Sequence, residues 1–275
     1  MPRRYAVPLA ALKRDPAAVS SPVERRGLRT ETLLVLGVSL GASAVRSVLQ
    51  IVERLTRPVP LAQQTAAMNT AVTPDRPWLD LAYQLVGIAL ALVPVLLALF
   101  LLARVAPPAM GISPRRFLGL DGREPVRDAT RGLGLAALIG IPGLLLYVAA
   151  KALGVNTSVS AANLADVWWA VPVLVLAAAE NAVLEEVVMV GYLFTRWRQV
   201  GWSWPVVIGV SAAIRGTYHL YQGFGGFAGN VAMGVLLGLV FVRTRRVLPL
   251  VVCHTLLDVV AFVGYTLLRA RGVAL

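Results

Sequence analysis

The sequence predicts an all-α, polytopic membrane protein, a bundle of about seven transmembrane helices. The mean hydropathy is +0.72 over 275 residues, of which 57% are hydrophobic and only 15% charged. That composition lies outside the soluble globular range. Most hydrophobic segments also exceed the roughly 20 residues that a helix needs to cross a bilayer. The third observation is that arginine is concentrated in alternate loops, as expected of a protein that threads a membrane repeatedly.

The chain divides into three parts. Residues 1–31 form a polar, arginine-rich arm that we expect to lie at the cytoplasmic membrane surface. N-terminal transmembrane helices occupy 32–153, and a core of four further helices occupies 167–268. An eighth, half-inserted segment within 53–78 is an alternative. The seven predicted spans are 32–52, 79–104, 131–153, 167–195, 203–222, 225–243 and 247–268.

Loop charge predicts the orientation. Loops 105–130, 196–202 and 243–246 fall on one side of the membrane and are rich in arginine. Loops 153–166 and 223–224 fall on the other side and contain none. Since positive loops stay in the cytoplasm, we expect a multi-pass protein of the cell membrane with a cytoplasmic N-terminus.

The basic charge needs no nucleic-acid partner. The formal net charge is +12, but the sequence contains no soluble basic module that could bind nucleic acid. Cationic loops facing the anionic inner surface account for the charge. The loop at 53–78 is the exception, because it carries Arg54, Arg57 and Arg76 on the opposite side. The single Cys253 excludes a disulfide within the chain.

Ionisable residues recur on the last hydrophobic segments. Each costs about 2.5–3.5 kcal/mol at the centre of a membrane helix on insertion scales, so such residues indicate a functional site. Both histidines of the chain belong to this set. The set consists of Glu180, Glu185, Glu186, Arg215, His219, His254 and Asp258.

Helical spacing suggests how these side chains are shared out. Glu185 and Glu186 are adjacent, so their side chains diverge by about 100° and only one can face a given site squarely. His254 and Asp258 are four residues apart and therefore share a helix face. Asn230, on the sixth segment, could complete the cluster.

The chemistry of the set leaves several possibilities open. Carboxylates at membrane depth must be protonated, paired with a cation or bound to a metal. Two imidazoles with carboxylates suit a zinc ion, whereas a glutamate beside a histidine can activate water. The same residue types form the proton relays of transporters. Spacing alone does not separate these functions.

The sequence Glu185-Glu186-Val-Val-Met-Val190-Gly191, followed by His219 and then by His254-Thr-Leu-Leu-Asp258, resembles the CPBP family. These are CAAX-type intramembrane endopeptidases, also called Abi proteins. The resemblance implies a metalloprotease or glutamate protease that cleaves a membrane-anchored or hydrophobic peptide within the lipid bilayer.

The resemblance also implies roles for individual residues. Glu185 would activate water with His219 as its partner, and Glu186 would belong to the same site. His254 and Asp258 would stabilise the oxyanion or bind a metal. A divalent metal such as zinc, where one is used, would be held by Glu185, His219 and His254. Supporting positions are expected at Glu180, Arg215 and Asn230.

Two positions depart from the family pattern. Val190 stands where the family has arginine, and Arg215 stands where it has phenylalanine. We interpret the two as linked, with the guanidinium moved to the next helix to neutralise Glu186 or Glu180. The alternatives are an inert immunity or scaffold paralogue, or a proton-coupled transporter.

Overall fold

Helices make up nearly all the regular structure in residues 16, 18–104 and 113–271, which the computed structural model describes. Most of the predicted arm (1–15 and 17) and residues 105–112 of the first arginine-rich loop lie outside these ranges. The helices are α1 (Pro22–Gly37), α2 (Leu40–Thr56), α3 (Pro77–Ala91), α4 (Val93–Ala103), α5 (Pro114–Phe117), α6 (Pro125–Ala152), α7 (Ala170–Glu185), a π-helical segment (Glu186–Tyr192), α8 (Leu193–Val200), α9 (Trp204–His219), α10 (Phe224–Thr244) and α11 (Leu248–Ala270).

The all-α prediction is confirmed, but the number of spans is lower than the predicted seven. Four helical stretches in the described residues are long and apolar enough to cross a membrane: Pro77–Ala103, Pro125–Ala152, Phe224–Thr244 and Leu248–Ala270. A fifth would be the pair α1 and α2, which is bent by 56°. The other two predicted spans do not form long, uninterrupted α-helices. The fourth changes from α to π geometry at Glu186, and α9 ends after 16 residues.

The predicted arm is helical in part. Helix α1 begins at Pro22, inside the arm, where the Ser21 side chain accepts from the Glu24 backbone N–H. A serine N-cap followed by proline and an acidic first turn is a strong helix start. Further along, Glu31 pairs with Arg196 of α8 at 2.8 Å, which anchors α1 to the C-terminal core.

Apolar and polar residues are distributed as expected in a membrane. Large aliphatic side chains are exposed along α3, α4 and α6, for example Leu90, Leu96 and Ile141. The most deeply buried stretch is the π-helical segment, in which every residue is buried. The aliphatic exterior therefore faces lipid, and the ionisable groups lie in the interior.

Loop contacts join segments of the chain at two places in the helical bundle. On one side, the short parallel strands β1 (Thr65–Ala67) and β2 (Ser158–Ser160) pair, and Asn156 bridges to Gly223. On the other side, the Val247 N–H donates to the Leu118 carbonyl. Loops 53–78, 153–166 and 223–224 thus contact one another, and of these only 53–78 carries arginine. The arginine-rich loops 105–130 and 243–246 also contact each other, since Arg246 donates to the Asp121 carbonyl.

The last helices pack closely enough to enclose a site. Helix α9 packs against α10 and α2, and α11 packs against α6 and α7. A Cβ atom on Gly234 of α10 would lie 2.9 Å from the Ala212 Cα atom of α9, which only glycine avoids. Small residues at such contacts let membrane helices approach closely.

Candidate active site

Arg215 lies at the centre of the buried polar cluster. Its Nη2 atom donates to Glu186 Oε1 at 2.7 Å, and its Nη1 atom lies 3.6 Å from Glu185 Oε2. Arg215 and Glu186 are both 0% exposed, so neither charge is compensated by solvent. The single positive charge of the guanidinium therefore compensates one of the two buried carboxylates and attracts the other.

Both adjacent glutamates face the same guanidinium, which differs from the expectation that only one would face the site. The change from α to π geometry falls between Glu185 and Glu186. A planar guanidinium can also engage two acceptors at once. Ser211 of α9 donates to the Met189 carbonyl at 2.9 Å, which fixes the π-helical segment against the neighbouring helix. Single π-helical turns inside α-helices occur frequently at functional sites.

Glu185 is held by a residue that the sequence analysis missed. The Tyr218 hydroxyl donates to Glu185 Oε2 at 2.6 Å. Tyr218 lies three residues after Arg215, so the two share a face of α9. That spacing was the signal available in the sequence. The Tyr218 and Arg215 contacts of Glu185 both use Oε2, and within the described residues Oε1 of Glu185 is left for a further partner.

His254 is oriented by two carboxylates. Its Nδ1–H donates to Glu186 Oε1 at 2.9 Å, and its Nε2 atom lies 3.8 Å from Asp258 Oδ1. Asp258 in turn interacts with the Asn181 side chain of α7. A carboxylate on one ring nitrogen fixes the ring and leaves the other nitrogen for chemistry.

His219 lies at the edge of the cluster. Its Nδ1 atom is 3.1 Å from the Arg215 carbonyl, which can only accept, so Nδ1 carries the proton and Nε2 is left with a lone pair. The ring contacts Tyr218, with centroids 4.8 Å apart. His219 also interacts electrostatically with Glu185 and His254. Helix α9 ends at His219 itself.

The two remaining supporting positions differ. Glu180 is half-buried, and its Oε1 atom has no hydrogen-bond partner among the described residues. It lies within electrostatic range of Glu185 and Asp258. Asn230 instead donates to the Gly226 carbonyl of its own helix at 3.0 Å, and it makes no hydrogen bond to the cluster in the described part of the chain. Such local bonding to the helix backbone competes with tertiary partners for asparagine.

A metal could be held by a set different from the predicted one. Glu185, Glu186 and His254 are buried, and each offers a ligand atom within 4.8 Å of the others. Carboxylate and imidazole donors suit a divalent ion such as zinc. In this set Glu186 replaces His219 as the third candidate metal ligand. The buried Glu186 Oε2 atom has no hydrogen-bond partner within the described residues, so it is free to act as a ligand.

The fold and the cluster define a class of protein: a multi-pass helical membrane protein with a buried carboxylate–histidine site. The family model for type II CAAX prenyl endopeptidase Rce1-like proteins matches residues 167–260. This match confirms the family resemblance over the segment that carries every residue of the cluster. No curated protein and no solved structure matches the chain significantly.

Proposed function

We propose that the protein is an intramembrane endopeptidase that hydrolyses a peptide bond of a membrane-associated substrate with a water activated by Glu185. The observation that supports this most directly is the division of labour between the adjacent glutamates. Glu186 Oε1 accepts from both Arg215 and His254, and Glu186 is 0% exposed. Glu185 accepts from the neutral Tyr218 hydroxyl and is 7% exposed, so it is the carboxylate of the two that water can reach. The CAAX-type family match supports the same reaction class.

In this mechanism Glu185 takes a proton from water, which attacks the scissile carbonyl carbon. The Tyr218 hydroxyl holds the carboxylate in place. The developing oxyanion would be stabilised by donors beside Glu185, and the buried Nη1 of Arg215, which has no hydrogen-bond partner among the described residues, is such a donor. Glu185 then returns the proton to the leaving amine.

The two histidines would complete the site. The tautomer of His219 leaves Nε2 able to orient the attacking water. His254, fixed by Glu186 and close to Asp258, would bind the substrate carbonyl or the oxyanion. A divalent metal bound by Glu185, Glu186 and His254 would supply Lewis-acid polarisation of the carbonyl.

The linked departures from the family pattern favour an active enzyme over an inert paralogue. Arg215 makes the charged contact to Glu186 that a guanidinium at position 190 would otherwise supply. Val190 is itself 1% exposed and packed in the core. The charge balance of the site is therefore retained despite both substitutions.

The arrangement of the loops supports a cytoplasmic N-terminus, with the arginine-rich loops inside.

The test is a screen of membrane-anchored reporter peptides against the purified protein in liposomes, with Glu185→Gln and Glu186→Gln as paired variants. Glu185→Gln should remove activity by at least about 100-fold and leave the melting temperature close to that of the parent, because general-base catalysis contributes roughly 10²–10⁴-fold. Glu186→Gln should instead lower the melting temperature, since it breaks a buried charge pair. Full activity in Glu185→Gln would refute the mechanism.

A further inference from the structure

A polar cavity of about 400 Å³ lies beside the active site, between α2 and the end of α9. We call it the arginine pocket. Its α2 wall carries two arginines and three uncharged polar residues, and the facing wall includes Asn69 and Tyr218. The α2 residues are Ser43, Arg46, Ser47, Gln50 and Arg54.

Helix geometry places the polar residues of this wall on one face of α2. At about 100° per residue, the five α2 residues fall within a sector of roughly 100°. Buried residues such as Ala44 and Ile51 occupy the next sector. The third sector is aliphatic and exposed, at Val45, Leu49 and Val52. Helix α2 therefore has one face for the core, one for the pocket and one for lipid.

The arginines of the pocket have no acidic partner. Neither Arg46 nor Arg54 forms an ion pair with a carboxylate among the described residues, and the nearby Glu53 pairs with Arg57 instead. Arg46 donates to Ser43 Oγ at 3.3 Å, and Arg54 donates to the Thr65 carbonyl at 3.2 Å. Arg46 lies in the first predicted span, where arginines normally pair because an isolated charge is costly. The pocket thus presents two positive charges for which the described part of the chain supplies no carboxylate partner.

We propose that the arginine pocket binds the phosphate group of an anionic membrane lipid. Guanidinium groups match phosphate oxygens in geometry and charge. Ser43 and Gln50 supply further hydrogen-bonding groups for a polar head. The exposed aliphatic sector places Leu49 next to Arg46 and Gln50 on the helix surface, so acyl chains can lie against α2 while the head enters the pocket.

The site is distinct from the catalytic cluster and does not depend on the proposed protease activity. Tyr218 lines both the arginine pocket and the catalytic cluster, but its hydroxyl donates to Glu185. Ser47 accepts from the Tyr221 backbone N–H at 2.7 Å, which ties α2 to the turn after α9. The pocket also accounts for Arg54, an exception to the charge pattern of the loops.

The experiment measures lipid binding by the full chain in neutral detergent, by native mass spectrometry and by ligand-induced thermal shift. The probes are short-chain phosphatidylglycerol, short-chain phosphatidylcholine, glycerol 3-phosphate and a peptide with a free carboxyl terminus. We expect phosphatidylglycerol to bind at least tenfold more tightly than the other three. Arg46→Gln/Arg54→Gln should weaken phosphatidylglycerol binding by about tenfold or more, or about 1.4 kcal/mol. Arg26→Gln, which removes an exposed charge from α1, is the matched control and should not change it.

Gln50→Glu is a second variant that adds a negative charge to the pocket at an exposed position. It should weaken phosphatidylglycerol binding, and it keeps the test decisive where the double arginine variant does not fold. Equal phosphatidylglycerol binding by the parent and the pocket variants would overturn the proposal. Tighter binding of the peptide than of phosphatidylglycerol would also overturn it, because the pocket would then be a substrate site. Glycerol 3-phosphate binding as tight as that of the lipid would overturn it as well, because the pocket would then bind a free anion.

Discussion

Arg215 and Glu186 form a fully buried ion pair, with the Arg215 Nη2 atom 2.7 Å from Glu186 Oε1. The same carboxylate oxygen accepts from His254, so three helical segments meet at one atom. Arg215 comes from α9, Glu186 from the π-helical segment and His254 from α11. This contact links the stability of the core to the geometry of the candidate active site.

The first prediction exchanges the two departures from the family pattern. Arg215→Phe should destabilise the protein by about 3–5 kcal/mol, because removing one partner leaves a buried charge uncompensated. Adding Val190→Arg should restore much of this loss, since the new guanidinium starts from the segment that carries Glu186. The measurement is thermal unfolding in detergent.

A matched control for this exchange is Arg215→Phe combined with Val190→Leu, which changes volume at position 190 without restoring the charge. It should be no more stable than Arg215→Phe alone. If Val190→Arg gives no more recovery than Val190→Leu, the two positions are not coupled and the inert-paralogue alternative gains support.

The second prediction concerns Tyr218. Tyr218→Phe should lower kcat by roughly 10–100-fold, because a hydrogen bond to a charged group contributes about 1.5–3 kcal/mol. The effect on KM should be small, since the hydroxyl holds Glu185 rather than substrate. Steady-state kinetics on a cleaved reporter peptide measures both constants. Tyr265→Phe, whose hydroxyl contacts Ser160 instead, is the control and should retain parental rates. An unchanged kcat in Tyr218→Phe would contradict the role.

The third prediction concerns metal dependence. Arg215 already lies within 3.6 Å of one candidate ligand and 2.7 Å of another, so its positive charge opposes a dication at the same carboxylates. We therefore expect proteolysis to survive chelator treatment, with metal content measured on the same sample. Loss of activity on chelation, restored by added zinc, would show that a metal bound by Glu185, Glu186 and His254 takes part in the reaction.

Much of the architecture could be predicted from sequence because its signals are local. Hydropathy located the helices, and the cost of burying charge singled out Glu185, Glu186, Arg215 and His254, which the structure brings together. Arg215 contacts Glu186, one of the two carboxylates expected for it.

The features that sequence analysis missed depend on tertiary contacts. Hydropathy does not show that the fourth segment turns π-helical at Glu186 or that α9 stops at His219, so the number of spans was overestimated. Asn230 satisfies its side chain on its own helix rather than in the cluster. The spacing of Tyr218 from Arg215 places the two on one face of α9, but only the tertiary structure shows that the Tyr218 hydroxyl lies beside Glu185.

The last prediction tests the ion pair that closes the arginine-rich end of the bundle. Arg246 donates from Nε to Asp128 Oδ1 at 2.8 Å and also contacts Asp121, which connects the loop before α11 to the start of α6. Asp128 is 1% exposed. Arg246→Gln should therefore destabilise the protein by about 3–5 kcal/mol, because it leaves the Asp128 carboxylate buried without its cation.

The hydrogen bonds that Arg246 donates to Asp128 raise the pKa of Arg246 above its ordinary value. A cation whose pKa is higher in the folded than in the unfolded protein contributes its full stabilisation at every pH below its unfolded-state pKa. This contribution is lost only as the pH rises through its folded-state pKa. The loss in Arg246→Gln should thus be equal at about pH 7 and pH 9, as measured by thermal unfolding in detergent. Arg243→Gln, at an exposed position on α10, is the control and should change stability by less than about 0.5 kcal/mol. A destabilisation by Arg246→Gln no larger than that of Arg243→Gln would mean that the pair does not hold α6 to α11.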